Sequence, residues 1–155
     1  MKEALLYERL EGNTVRCGVC QARCVIRDGT RGHCDTRVNQ GGVLYSLLYG
    51  LAASACVDPI EKKPLYHFFP GTAVFSLGTV GCNFRCPGCQ NYSLSRAKPD
   101  NGAAGLHRLS PEKSLELAVR YGCAGICWTY NEPAVWFEQT LETARLARER
   151  GLYTC

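Results

Sequence analysis

Residues 73–89 of the chain, which read AVFSLGTVGCNFRCPGC, decide the fold. The first five residues form a short apolar run between Pro70-Gly71 and Gly78, and this pattern is typical of a buried β-strand. A loop with three cysteines follows almost directly. The sequence therefore predicts a strand that delivers these cysteines to one end of a sheet.

Helices and strands alternate after this loop. Ser110-Pro111-Glu112 starts a helix, because serine suits the N-cap and proline the first helical position, and Gly122 suits its end. We expect a strand at residues 125–129, a second helix from about Ala134 and a third strand from residue 152. The second helix has apolar residues on one face: Phe137, Leu141 and Ala144. The alternation predicts an α/β fold whose parallel strands carry the functional loops at their C-terminal ends.

Three zones of composition divide the chain. Residues 1–40 are a polar, cysteine-rich segment that we expect to bind metal. Residues 41–71 are an apolar connecting segment, and residues 72–155 carry the strand–helix alternation. Because the third strand would leave an unpaired apolar edge, we expect residues 72–155 to be the N-terminal part of a longer β/α protein and the chain to be truncated.

Composition excludes several classes of protein. The 155 residues carry a formal net charge of +4, too little for a nucleic-acid-binding stripe. The N-terminus has no secretory signal, and the longest mostly apolar stretch, residues 45–57, is shorter than the roughly 20 residues of a membrane helix. We therefore expect a cytoplasmic protein without membrane or nucleic-acid partners. In that compartment the 11 cysteines favour metal binding over disulfides.

The spacing of Cys82, Cys86 and Cys89 indicates an iron–sulfur site. Thiolates hold the irons of a [4Fe-4S] cluster, normally one thiolate per iron. Three thiolates leave the fourth iron open to another ligand. Structural zinc, the alternative, normally takes four ligands, so it matches this spacing poorly.

A second metal site is predicted from four cysteines within 18 residues: Cys17, Cys20, Cys24 and Cys34. Four thiolates fit structural zinc and also fit a second cluster, and His33 could replace its neighbour Cys34. Four free buried thiols are the remaining alternative. Three other cysteines have no metal-ligand spacing and are expected to be buried as small apolar side chains: Cys56, Cys123 and Cys127.

The three-cysteine loop after the first strand resembles the signature of the radical S-adenosylmethionine (radical SAM) superfamily. The resemblance implies a partial TIM barrel in which Cys82, Cys86 and Cys89 hold a [4Fe-4S] cluster and S-adenosylmethionine (SAM) binds the open iron. Reductive cleavage of SAM then gives a 5′-deoxyadenosyl radical that abstracts hydrogen from a substrate, here unknown. A low-potential electron donor of the flavodoxin or ferredoxin type is the implied partner. Gly88 departs from the family, which usually has an aromatic residue at that position.

The turn after the second predicted strand, residues 129–133, contains Glu132. It resembles the superfamily's glutamate turn, whose carboxylate receives the SAM amino group, and a carboxylate suits an ammonium group well. Asn131 is a further candidate for SAM binding. Alternatively, Glu132 is only an acid near the start of a helix, where the helix dipole favours it.

A closer resemblance covers nearly the whole chain. Residues 58–71, DPIEKKPLYHFFPG, together with the cysteine motifs and the glutamate turn, are similar to the radical SAM proteins of the AmmeMemoRadiSam system, which are described as related to pyruvate formate-lyase activating enzymes. An alternative function is therefore an activase that abstracts hydrogen from a glycine of a partner protein. The non-enzymatic alternative is a zinc or iron–sulfur binding module.

Overall fold

A computed structural model describes residues 1–99 and 105–155. The turn that Pro99-Asp100-Asn101-Gly102 predicts in the sequence lies largely outside the described residues. The strands in chain order are β1 (Lys2–Glu3), β2 (Tyr7–Arg9), β3 (Val15–Cys17), β4 (Val25–Ile26), β5 (Arg37–Gln40), β6 (Val43–Ser46), β7 (Leu51–Ala52), β8 (Ser54–Pro59), β9 (Ala73–Gly78), β10 (His107–Arg108), β11 (Gly125–Trp128) and β12 (Tyr153–Thr154). The α-helices are α1 (Tyr92–Arg96), α2 (Pro111–Arg120) and α3 (Phe137–Glu149), and Ile60–Lys62 and Pro133–Trp136 are 3₁₀ helices.

The central sheet has the strand order β12-β11-β9-β8. Strand β11 pairs in parallel with both β9 and β12, so the predicted strands and their parallel arrangement are confirmed. Strand β8 adds to the other edge of β9 in the antiparallel direction, which the sequence did not indicate. Within the described residues the sheets are small and none closes into a barrel. The partial TIM barrel stays a prediction.

The core lies between this sheet and helices α2 and α3. The core side chains come from the helices, from the sheet face that the helices cover and from neighbouring loops. The buried core residues include Leu48, Phe75, Leu77, Val80, Ala118, Ile126, Trp136 and Ala147. Phe75 and Ile126 are register partners on β9 and β11, so they present neighbouring side chains to the helices. This packing fixes the two strands whose ends carry the predicted site. Within the described residues, no helix combines the length and apolar character that crossing a membrane requires.

Helix α2 begins and ends as the sequence predicts. Ser110 is the N-cap, and its hydroxyl oxygen accepts a hydrogen bond from the Lys113 N–H at 3.2 Å. Gly122 follows the helix with a φ of +67°, a left-handed conformation that glycine adopts without a steric cost. The Gly122 N–H donates to the Val119 carbonyl at 3.0 Å, which satisfies one carbonyl of the last turn.

Helix α3 differs from its prediction at its start and on its buried face. It begins at Phe137, because the residues from Pro133 form a 3₁₀ turn first. The residues expected on the apolar face are only partly buried, and the buried residues are instead Glu138, Gln139, Thr143 and Ala147. The polar residues among them can be buried where they have partners. Gln139, for example, accepts from the Gly50 N–H and donates to the Leu109 carbonyl, both at 3.0 Å.

The N-terminal part consists of two small antiparallel sheets, β2-β3-β4 and β1-β6-β5. Strands β5 and β6 form a hairpin that spans the predicted boundary between residues 40 and 41. A small apolar cluster lies between the sheets: Ala4, Val15, Cys17, Ile26 and Leu44.

A buried ion pair joins this N-terminal part to α3. The Arg37 guanidinium donates to both carboxylate oxygens of Glu138, at 2.9 and 2.8 Å, and the two side chains are 2% and 1% exposed. One oxygen of Glu138 also accepts from the Leu5 N–H at 3.1 Å. The contact is therefore a specific one, with both charges satisfied away from water.

Candidate functional site

The cysteine loop and the glutamate turn leave the central sheet side by side. Leu77 and Trp128 are register partners at the ends of β9 and β11, and the Thr129 N–H donates to the Leu77 carbonyl at 2.8 Å. Because the two strands are parallel, the loops that follow them emerge at the same end of the sheet. Cys82 and Glu132 thus follow neighbouring strands.

Asn131 connects the two loops. Its side-chain amide donates to the Gly81 carbonyl at 2.7 Å, and at 3.5 Å it reaches the Val80 carbonyl and accepts from the Thr79 N–H. The amide thus already binds the backbone at the base of the cysteine loop. In this structure Asn131 is a positioning residue, and its predicted contact with SAM stays untested.

Tyr130 precedes Asn131 in a strained conformation, with a φ of +76°. Its ring lies over Gly78, where a β-carbon would come within 2.4 Å of Tyr130 Cδ2. The tyrosine hydroxyl lies 3.4 Å from the sulfur of Cys56, which is only half-buried. The prediction that Cys56 is buried is therefore wrong, whereas the predicted burial of Cys123 and Cys127 is confirmed.

The three loop cysteines differ in exposure: Cys82 is buried, Cys86 is exposed and Cys89 is half-buried. The Phe84 N–H donates to the Cys82 sulfur at 3.4 Å, and the Cys89 sulfur lies 3.5 Å from the Ser95 hydroxyl. Thiolate is the form in which cysteine holds an iron–sulfur cluster, so the donor set of this loop fits one.

Two arginines and the start of α1 hold the loop. The Gly81 N–H donates to the Leu94 carbonyl at 3.0 Å, which closes the base of the loop. The Arg85 guanidinium donates to the Cys82 carbonyl at 2.8 Å and to the His33 carbonyl at 2.5 Å. Arg96 donates to the Phe84 carbonyl at 2.9 Å. The N-terminal part therefore takes part in holding the cysteine loop.

Glu132 lines an open cleft of about 480 Å³ beside this loop. The other walls are formed by residues 18–23, by Asn83 and Phe84, and by Ala134. Arg23 also lines this cleft, and in the described part of the chain neither its side chain nor that of Glu132 has a hydrogen bond or ion pair. The sequence did not single out Arg23, although its place beside Cys24 was a signal. The cleft thus carries one cation and one anion that are not paired.

The helix-start interpretation of Glu132 stays an alternative. Glu132 is the N-cap of the 3₁₀ helix Pro133–Trp136, but its side chain makes no capping hydrogen bond. Its carboxylate is available to a ligand in the cleft.

The four N-terminal cysteines lie around one small cavity of about 20 Å³. His33 and Arg37 also line it, together with Asn83 of the cysteine loop and Ala134-Val135 of the 3₁₀ helix after the glutamate turn. In residues 1–99 and 105–155, however, no three His, Cys, Asp or Glu side chains are close enough together to hold a metal ion. Both cysteine sets belong to these residues, so their metal ligation stays a prediction.

The segment 58–71, which had no predicted role, is anchored by Asp58. This buried carboxylate accepts hydrogen bonds from Lys62 at 2.6 Å and Lys63 at 2.8 Å. Burial alone would raise the pKa of Asp58, but the two lysines outweigh it and hold the pKa well below its ordinary value. The contact fixes the turn after β8 against the sheet.

Gly81 offers a test of how closely the N-terminal part packs on the cysteine loop. It has a φ of +77°, and a β-carbon would lie 2.5 Å from Thr36 Cγ2 and 2.8 Å from the Cys34 carbonyl oxygen. Gly122, at +67°, has nothing within 4 Å of the same position and is the matched control. Both alanine variants bear the left-handed penalty of roughly 1–2 kcal/mol. We expect Gly81→Ala to lower the free energy of unfolding by about 1–3 kcal/mol more, from crowding.

Urea titration of the two variants measures this difference. Equal losses in both variants would show that the N-terminal part does not press on Gly81.

Comparisons with known proteins give one informative relative. An uncharacterized protein of Methanocaldococcus jannaschii is 48% identical over 153 residues, which are 99% of this chain and 45% of the relative. The chain thus spans less than half the length of the curated relative it matches. No protein-family model matches the chain. No solved structure matches it either.

Proposed function

We propose that the protein is a radical SAM enzyme. The observation that carries the proposal is the juxtaposition of the cysteine loop and Glu132 at one end of the parallel strands β9 and β11. Asn131 binds the base of the cysteine loop and so fixes the spacing of the two. Cys82, Cys86 and Cys89 are the proposed ligands of a [4Fe-4S] cluster, and Glu132 is the proposed partner of the SAM amino group.

The cluster and SAM, when bound, would supply reductive cleavage of the sulfonium and a carbon-centred oxidant that removes hydrogen from a substrate. The residues of this chain would hold the cluster and SAM and orient them. Glu132 offers a carboxylate to an ammonium group, and Arg23 offers a guanidinium to a carboxylate. An unpaired anion and cation in one cleft suit the zwitterionic amino-acid end of SAM.

The exposure of the loop supports an external electron donor. Cys86 is exposed and the neighbouring Phe84 is 55% exposed, so a protein donor can approach the proposed cluster. We propose a low-potential flavodoxin or ferredoxin in this role. Free thiols and a reduced cluster also require a reducing compartment, for which we propose the cytoplasm.

The proposed SAM contacts are tested by equilibrium binding of SAM to the cluster-loaded protein. Glu132→Gln should weaken binding by roughly 1.5–3 kcal/mol, the value of a hydrogen bond to a charged group. Arg23→Gln should weaken it less, by about 1 kcal/mol, because Arg23 is exposed and water screens its charge. Arg27→Gln is the matched control, since Arg27 is an exposed arginine of the same segment that does not line the cleft.

If Glu132→Gln binds SAM as tightly as the parent does, Glu132 is only a helix-start residue and does not contact SAM. Equal weakening in Arg23→Gln and Arg27→Gln would point to overall charge instead of a specific contact.

A further inference from the structure

We propose that one structural zinc ion is bound by Cys17, Cys20, Cys24 and Cys34. This ion also fixes the N-terminal segment that packs against the cysteine loop. All four thiols line the same cavity, although they come from positions spread over 18 residues. Their side chains border the cavity, and binding would draw them onto one centre. Four cysteine ligands are a common donor set of structural zinc.

The cavity is closer in size to a single zinc ion than to a second iron–sulfur cluster. The cavity measures about 20 Å³, and a single water molecule needs roughly 10–15 Å³ on this measure. A zinc ion is no larger than a water molecule. A cubane of four irons and four sulfides is several times larger, and apolar side chains, among them Ile26 and Val135, form the walls. The space therefore favours one ion.

One backbone N–H already reaches a sulfur of this set, since the His33 N–H donates to the Cys24 sulfur at 3.5 Å. Arg37 also lines the cavity, and its guanidinium is held in place by two hydrogen bonds to Glu138.

The sheets of the N-terminal part are small and share a small apolar cluster. Strands β2, β3 and β4 have three, three and two residues. The apolar cluster between the small sheets has five fully buried residues, and Cys17 is one of them. Segments of this size usually need a metal or disulfides in order to fold. Metal binding then supplies folding free energy.

The contacts of this segment reach both loops of the proposed active site. The Cys34 carbonyl and the Thr36 side chain border Gly81. The His33 carbonyl accepts from Arg85, and the Thr36 hydroxyl donates to the Val135 carbonyl at 3.2 Å. Because Cys34 lies between His33 and Thr36, a metal bound there would fix these contacts. This second role rests on the proposed function, whereas the zinc site itself does not.

Metal content and X-ray absorption at the zinc edge test the site in the complete protein. We expect one zinc per chain in addition to the iron, with four sulfur ligands at about 2.3 Å. Cys20→Ser should lower the zinc content to well under half of the parental value, whereas Cys123→Ser, which removes a buried thiol away from the cavity, should leave it unchanged. The absorption spectrum of the parent answers the question even where a variant fails to fold. Three results would overturn the proposal. They are a protein without zinc, a zinc ion with nitrogen or oxygen ligands in place of sulfur, and eight irons per chain.

Hydrogen exchange tests the second role separately. Zinc is removed with a chelator, and iron is measured before and after so that cluster loss is recognised. The amides of residues 81–85 and 134–136 should then exchange at least about ten times faster, while those of α2 keep their rates. Unchanged exchange in the two loops would overturn the positioning role. Failure of SAM cleavage would overturn the proposed function but leave the zinc result intact.

Discussion

Glu138→Gln should destabilise the protein by about 3–5 kcal/mol, the usual cost of removing one partner from a buried ion pair. The substitution keeps the shape of the side chain but leaves the Arg37 guanidinium, 2% exposed, without its counter-charge. Since the pair joins the N-terminal part to α3, we also expect looser contacts between that part and the cysteine loop. The midpoint of urea unfolding at unchanged slope measures the loss.

Glu142→Gln is the matched control for this prediction. Glu142 lies one turn further along α3 and pairs with Lys2, but the two side chains are 37% and 35% exposed. An exposed pair of this kind contributes about 1 kcal/mol or less. Arg37→Met combined with Glu138→Leu should recover much of the stability, because it leaves no unpaired buried charge. Equal effects of Glu138→Gln and Glu142→Gln would show that the buried pair is not formed.

Replacing any one of Cys82, Cys86 or Cys89 by alanine should abolish intact cluster binding. Each is one of only three proposed protein ligands, so its loss leaves two irons without a protein thiolate. Iron and sulfide are measured per chain after anaerobic reconstitution. The parent should bind four irons at this site and each variant substantially fewer.

Cys123→Ala is the control for loss of a thiol. Cys123 is 6% exposed and lies in the core beside α2, and burial raises the pKa of its thiol, which keeps it protonated. The variant loses some packing but should bind the parental amount of iron. If Cys86→Ala keeps four irons per site, the ligand assignment is wrong.

The parts of the fold that the sequence predicted depend on short-range patterns. Strand β9 follows from a short, mostly apolar run between turn residues, and the start of α2 follows from Ser110 and Pro111. The placement of the cysteine loop and Glu132 at neighbouring strand ends follows from the alternation of strands and helices. These features need no knowledge of distant contacts.

The features that the sequence did not predict depend on distant partners. The buried face of α3 is polar because Glu138 pairs with Arg37, 101 residues away, and Gln139 with Gly50, 89 residues away. Helical periodicity assigns such residues to the solvent side, so it placed the buried face at the wrong residues. Asn131 binds the Gly81 carbonyl, 50 residues away, only because the two loops meet at one end of the sheet. No local pattern contains that information.

The most direct test of the proposed function is the fate of SAM on the reduced protein. The complete, cluster-loaded protein is incubated with SAM and a low-potential reductant, and the products are separated and quantified. The account predicts 5′-deoxyadenosine and methionine in equal amounts, with formation dependent on both the reductant and the iron. Intact SAM after incubation with protein that holds four irons on the cysteine loop would contradict it.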